Sequence, residues 1–269
     1  MGVARLDLKS PAVGTGATLR IEGLTVRLGD RVALRDIDFA ITAGSFVGLI
    51  GPNGSGKSTL IRTILGIVSP AAGRVVIEGE GIDTKRDAFS YLPQRQQVDF
   101  DVPLRAWDVV MMGRLRHGGW LQAPSRRDKD VVAEALNQVG LYDRRHSAIG
   151  EMSFGQQQRV FFARALAQEG RILFLDEPMN GVDPKTQDLF VDLLERFHAE
   201  GKTILMATHD LNQAACICDN LCVLNQHLVA YGPVSAALTD EVLREAYGAH
   251  LHFVATADSS PHPQILEDV

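Results

Sequence analysis

The chain has only three cysteines in 269 residues, Cys216, Cys218 and Cys222. An odd and low count speaks against a disulfide framework. Their C-x-C-x-x-x-C spacing lies among Ala214, Ala215, Ile217, Leu221 and Val223, so they read as buried core thiols rather than as a metal site. A basic surplus is also missing. The formal net charge is -6, which argues against broad nucleic-acid binding. No apolar run approaches the roughly 20 residues of a membrane-spanning helix. The stretch Met1–Thr18 lacks the basic-then-apolar order of a secretory signal. A cytosolic protein is therefore expected, and any membrane role has to come through a partner. There is no internal repeat.

What is present is ordinary globular material, 45% apolar and 22% charged, with length enough for a sizeable core. From Leu19 to Ile41 apolar residues alternate, which predicts two or three antiparallel strands turning at Gly29-Asp30. Strand and helix patterns then alternate to the end, which predicts an α/β fold with a largely parallel sheet. A helical insert is expected at about 102–165, inside a single domain over 18–254. Residues 1–17 and 255–269 are polar and Pro-bearing ends, expected to be disordered and mobile.

One stretch carries specific chemistry. Gly51-Pro52-Asn53-Gly54-Ser55-Gly56-Lys57-Ser58-Thr59 fits G-x-x-x-x-G-K-[ST]. Glycines let successive backbone N–H groups turn onto a polyphosphate, and a helix opening near Lys57 aims its positive end at the same group. Lys57 suits the β/γ-phosphates and the Ser58 hydroxyl suits Mg²⁺. The flanks agree. Ser45–Ile50 reads as a buried strand, and Leu60, Ile61, Ile64 and Leu65 recur at helical spacing. A second signal is the apolar run Ile172–Leu175 ending in Asp176-Glu177-Pro178. An Asp at a strand tip can bind Mg²⁺, and the Glu beside it can orient a water and take its proton. A third is Met152-Ser153-Phe154-Gly155-Gln156 ahead of a helical pattern. Ser153 fits the N-cap, and that helix start is a second place for an anion.

In this order, together with Gln94 after Tyr91-Leu92-Pro93, Asp183, and Thr208-His209-Asp210, these motifs resemble the nucleotide-binding subunits of ABC transporters over about residues 19–250. The resemblance implies a P-loop NTPase core with an N-terminal antiparallel β subdomain and a helical subdomain. It also implies a head-to-tail homodimer that sandwiches two ATP molecules. In that arrangement Ser153, Phe154, Gly155 and Gln156 would meet the ATP of the other subunit, and Asp183 would join the two sites. Gln94 would sense Mg²⁺ and the attacking water. Asp176 and Ser58 would hold the ion, Glu177 would be the general base and His209 would contact the γ-phosphate. Two positions depart from the family pattern. Leu28 stands where an aromatic residue usually stacks on adenine, and Phe154 replaces the first Gly of L-S-G-G-Q.

The stretches 94–103 and 108–114, Gly181-Val182-Asp183 and the 238–248 segment further resemble the ATPases of manganese, zinc or iron importers. That implies polytopic permease partners contacted through 94–123, with Trp107, Met111 and Met112 as anchors. It also implies an extracytoplasmic metal-binding protein, and a place on the cytoplasmic face of the cell membrane. Chelated iron is the alternative cargo. An ABC ATPase working on nucleic acid or ribosomes fits less well: there is one cassette, no heptad-bearing insert and an acidic balance. Intact Lys57, Asp176, Glu177 and His209 speak against a non-hydrolysing regulator. His250, His252 and His262 read as solvated histidines of the tail rather than as metal ligands.

Overall fold

In the computed structural model, the residues described are 17–78, 80–81, 88–94, 104–115, 123–248, 252–254 and 264–266. The expectations for residues 1–16, for the segment 95–103 and for His250 and His262 lie outside them. The chain divides into two compact units, one of residues 1–85 and 205–269 and one of residues 86–204.

In the first unit, β1 (Ala17–Leu28) and β2 (Arg31–Thr42) form one antiparallel pair, turning at Gly29-Asp30. Leu19, Ile21, Leu24 and Val26 of β1 are buried, as are Leu34, Ile37, Phe39 and Ile41 of β2. On the other side of β1 lies β4 (Ala72–Ile77), then β5 (Glu80–Gly81), giving the order β2-β1-β4-β5. Of the two or three strands expected from the alternation up to Ile41, two form, each of 12 residues, with bulges rather than turns at the irregular points of their ladder.

The same unit holds the phosphate-loop strand β3 (Phe46–Ile50), buried at every position. Strand β9 (Asn220–Leu224) runs parallel to it and pairs antiparallel with β10 (Leu228–Pro233). A strand covered on both faces reads as a continuous apolar run, which is what β3 and β9 show. Helices α1 (Lys57–Ile64), α6 (Leu211–Ile217), α7 (Val234–Ala237) and α8 (Asp240–Tyr247) complete the unit. Further on, β11 (His252–Val254) pairs antiparallel with β12 (Gln264–Leu266). The cysteines divide. Cys218 and Cys222 are buried, with thiol pKa values pushed up by burial, whereas Cys216 is exposed. The inward residues of α6 are Leu211 and Ala214, and a helical residue two beyond Ala214 turns away from that face.

In the second unit, β6 (Phe89–Leu92) and β7 (Ile172–Asp176) run parallel. The helices are α2 (Ala106–Met111), α3 (Arg126–Gln138), α4 (Phe154–Leu166) and α5 (Pro184–Ala199). Ring contacts fill its core: Phe89 meets Phe174 edge-on at 5.3 Å, and Phe162 stacks on Phe190 at 4.5 Å. Strand β8 (Thr203–Ala207) carries the chain from the second unit into the first. It starts with the Thr203 N–H on the Arg171 carbonyl, and just past its end the Thr208 N–H bonds to the Leu49 carbonyl. The architecture is an antiparallel β subdomain with a mainly parallel sheet and helices.

One buried charge ties the helices of the second unit together. Arg114 is 4% exposed. Its Nε donates to Asp128 Oδ1 at 2.9 Å, and its Nη1 donates to the Ala167 carbonyl and to Glu169 Oε2, each at 2.7 Å. Gly113 beside it leaves no room for a Cβ against the Arg164 carbonyl, 2.5 Å from where that atom would lie. Asp128 also closes the capping box of α3, and the Ser125 hydroxyl first and Arg114 second hold its pKa down at about 2. Arg114→Met should cost about 3–5 kcal/mol in urea unfolding, because it strands a buried carboxylate and carbonyl. The folded pKa of Asp128 is depressed, so its contribution is complete above the ordinary carboxylate value of about 4. It drains away as pH falls toward about 2. In Ser125→Ala the folded pKa should rise toward the ordinary value, so less stability should be lost on acidification and the loss should be complete at a higher pH, since the hydroxyl that chiefly keeps the carboxylate charged is gone.

Candidate functional site

The first unit contributes a loop built from left-handed glycines. Gly51, Gly54 and Gly56 have φ of 150°, 79° and 104°. A Cβ on Gly51 would run into the Leu224 carbonyl, and one on Gly56 would lie 2.5 Å from Leu34 Cδ2 and 3.1 Å from the Ala33 carbonyl. Gly54 faces open space. Other residues are therefore barred at two of the three positions, while the middle one leaves the loop mouth unobstructed. The Lys57 side chain crosses that loop, with Nζ donating to the Gly51 carbonyl at 2.6 Å and to the Pro52 carbonyl at 3.2 Å.

The start of α1 differs from the other long helices. Ser125, Ser153, Asp183 and Thr239 each cap their helices with a side-chain oxygen. Helix α1 has Gly56 at that position, no side-chain cap and no acidic residue in its first turn. A helix start without a side-chain cap favours an anion. Glycine-built backbone, that helix start and a buried ammonium fit a polyphosphate.

Two further expected residues belong to this unit. His209 is exposed and follows β8, where the Thr208 N–H bonds to the Leu49 carbonyl. It thus stands at the same carboxyl end as the loop that leaves β3, the end where parallel sheets bind ligands. Asp210 next to it caps α6, accepting from the Gln213 N–H at 2.9 Å. Leu28 ends β1, pairs with Arg31 across the hairpin and is 49% exposed.

The second unit brings together the acid and its partners. Leu92 of β6 is in register with Leu175 of β7, so the residues two further on, Gln94 and Glu177, meet. Gln94 Nε2 donates to Glu177 Oε2 at 3.0 Å. Asn180 Nδ2 reaches the same oxygen at 3.0 Å from the far end of a turn closed by the Asn180 N–H on the Glu177 carbonyl. Glu177 itself has φ 52°. Both bonds fall on one carboxylate oxygen and fix the group's orientation. Asp176 is 1% exposed at the tip of β7. Asn180 was missed by sequence reasoning, although Pro178 one residue into a four-residue turn signals that Asn180 folds back on Glu177.

The Ser153–Gln156 segment opens α4, which starts at Phe154 with Ser153 as its N-cap. Ser153 Oγ accepts from the Gln156 N–H at 3.4 Å, and Gln156 Oε1 accepts from the Ser153 N–H at 3.1 Å. That reciprocal cap fixes the helix start. Gly155 packs on Asp183: a Cβ there would collide with Asp183 Oδ2 and lie 2.9 Å from Thr186 Oγ1. Asp183 caps α5, accepting from the Thr186 N–H at 3.1 Å and from its hydroxyl at 2.9 Å, and the hydroxyl holds its pKa below the usual carboxylate range. Phe154 is 42% exposed and lies over Gly181. Gly155→Ala should lower the urea midpoint, because Asp183 must surrender its cap to make room. An unchanged midpoint would mean that Asp183 moves aside without loss.

Comparison with known proteins places the chain in a family. The ABC transporter family model matches residues 34–180. The chain is 39% identical over 247 residues to the chelated iron transport system membrane protein YfeB of Yersinia pestis, covering 91% of this chain and 83% of that protein. It is 41% identical over 233 residues to the manganese transport system ATP-binding protein MntA of Synechocystis sp., covering 86% and 90%. An inward-facing metal-chelate type ABC transporter has the same fold, with a TM-score of 0.80 at 26% identity over 93% of this chain and 98% of that one. With its phosphate loop and its acid cluster both inside the matched span, this chain belongs to the ABC transporter family, as an ATP-binding ATPase subunit.

Proposed function

We propose that this subunit powers a membrane importer of a divalent first-row metal ion, manganese or zinc, and that residues 18–254 act as one ATPase domain. The observation that carries the chemistry is the Glu177 carboxylate oriented by Gln94 and Asn180 at 3.0 Å each. A base for the attacking water has to be held in one orientation to be effective. The loop 51–59 grips the phosphates, with Lys57 on the β/γ pair, and Leu28 gives adenine an apolar rest. Ser58, Asp176 and Gln94 offer a hydroxyl, a carboxylate and an amide oxygen, a hard donor set that suits Mg²⁺. When bound there, the ion neutralises charge on the phosphates. Glu177 takes the proton of the water, and His209 donates to the γ-phosphate.

Ser153, Phe154, Gly155 and Gln156 reach the ATP of a second copy in a homodimer, and Asp183 couples the two sites. No helix among the described residues is long and apolar enough to cross a membrane. The membrane path therefore belongs to polytopic permease subunits, with this subunit at the cytoplasmic face and an extracytoplasmic protein delivering the metal. Met112 is 41% exposed and Leu115 57% exposed at the end of α2, apolar surface of the kind a partner helix covers. Support for the cargo is the likeness to the manganese system of Synechocystis. The likeness to YfeB favours chelated iron as the second reading.

Glu177→Gln should bind ATP within a few-fold of the intact protein, hydrolyse it about 10²-fold more slowly and accumulate as a dimer in light scattering. Normal turnover would remove Glu177 from its role. Lys57→Ala should lose both binding and hydrolysis, because a buried charge-assisted contact is gone. Deleting the gene should lower cellular manganese or zinc, and the intact gene should restore the metal while the Glu177→Gln form does not. Unchanged manganese and zinc with impaired use of chelated iron would overturn the cargo assignment in favour of the second reading.

A further inference from the structure

The turn between β9 and β10 makes a connection that ATP binding and hydrolysis as described above do not use. Gln226 has φ 58°, a left-handed backbone that costs a non-glycine residue and persists only where its surroundings hold it. The residue is exposed, and its main chain is fully engaged. The Gln226 N–H donates to the Ser55 carbonyl at 2.8 Å, and the Gln226 carbonyl accepts from the Arg35 N–H at 2.7 Å. Ser55 is 1% exposed, and a carbonyl buried in a loop needs a donor from outside that loop.

The other end of the connection is also irregular. Arg35 lies at a break in the β1–β2 ladder, between the pairs Leu24–Ile37 and Val26–Leu34. Asp36 there has φ 49°, and its N–H bonds to Thr25 Oγ1 at 3.1 Å. The bulge takes the Arg35 N–H out of the ladder and aims it at the turn. Two strained residues on two separate elements therefore meet in one path, from β2 through Gln226 to Ser55. The same elements bound the loop sterically: the Leu224 carbonyl abuts Gly51, and Ala33 and Leu34 abut Gly56.

We infer that Gln226 is a positioning residue for the phosphate loop, its main chain holding Ser55, and with it the amides of 54–57, in the phosphate-accepting arrangement before nucleotide arrives. This rests on reading 51–59 as that loop. The side chain has no part in it, so substitutions that keep the N–H and the left-handed backbone are silent. A loop released from this hold spends part of its time misshapen. The apparent affinity for ATP falls by the competent fraction, while turnover at saturating ATP is retained because nucleotide itself restores the shape.

The test is steady-state hydrolysis and equilibrium ATP binding by the full chain. Gln226→Pro lacks the N–H and cannot take a positive φ. It should raise KM and Kd for ATP by about three- to tenfold, the scale of one lost hydrogen bond, with kcat within about twofold. Gln226→Gly keeps both features and should match the intact protein within about twofold. Gln226→Pro indistinguishable from the intact protein, or lowering kcat with KM unchanged, would overturn the inference. Should Gln226→Pro not fold, amide hydrogen exchange on the unaltered chain decides, with a non-hydrolysable ATP analogue as probe. Slowed exchange at both 54–57 and 226 is expected. Protection of 54–57 alone would sink the positioning role while leaving the phosphate loop standing. Protection of neither would sink both.

Discussion

A charge buried away from water has to be compensated where it lies, and Lys57 is 6% exposed. Its compensation comes from the carbonyls of Gly51 and Pro52, in the loop the lysine itself closes. The loop that turns those carbonyls onto the ammonium passes repeatedly through left-handed backbone, at Gly51, Gly54 and Gly56. That is why glycine stands at 51, 54 and 56. The rest of the first unit is arranged to make such a loop tolerable. Strand β3 brings it to the carboxyl end of the sheet, α1 begins without a cap, and β2 and the β9–β10 turn close in on either side.

The second unit solves a different problem. A carboxylate at a strand tip can be fixed in direction only by donors that reach it. Glu177 has two amide donors on one oxygen, one from Gln94 just past β6 and one from its own turn. Because Gln94 follows β6, any shift of that end of the strand moves a hydrogen bond on the acid. The chain continues toward α2, whose far end carries the exposed apolar surface.

Much of this was legible beforehand, and the reasons differ by feature. The phosphate loop was readable because its chemistry demands fixed residue types at fixed spacing, and the flanking apolar runs left one assignment for strand and helix. Ser153 was readable as a helix cap, and it and Asp183 take their capping geometry from the local rules that make helices start. The Gln94–Glu177 bond was not derivable from residue types alone: the two are 83 residues apart, and only the register of β6 on β7 joins them. Cys216 was misplaced with its neighbours because the apolar sequence around it hides which helix face it takes.

The least legible features are those where a residue acts against its type. Arginine is a surface residue by default, and nothing near Arg114 in sequence announces Asp128, Ala167 and Glu169 as partners that let it be buried. Glutamine carries no sign of a left-handed backbone, unlike glycine or asparagine, so Gln226 looks like any polar turn residue until its main chain is seen. In both cases local preference loses to tertiary contacts, and each loss falls where separate elements must be held together. Local rules fail where the structure has to impose a conformation from outside, and such impositions accumulate around sites whose shape cannot be left to the sequence of one loop. The phosphate loop is the extreme case: its own glycines permit the shape, but permissive residues cannot enforce it, and the enforcement has to come from β2 and the turn at Gln226.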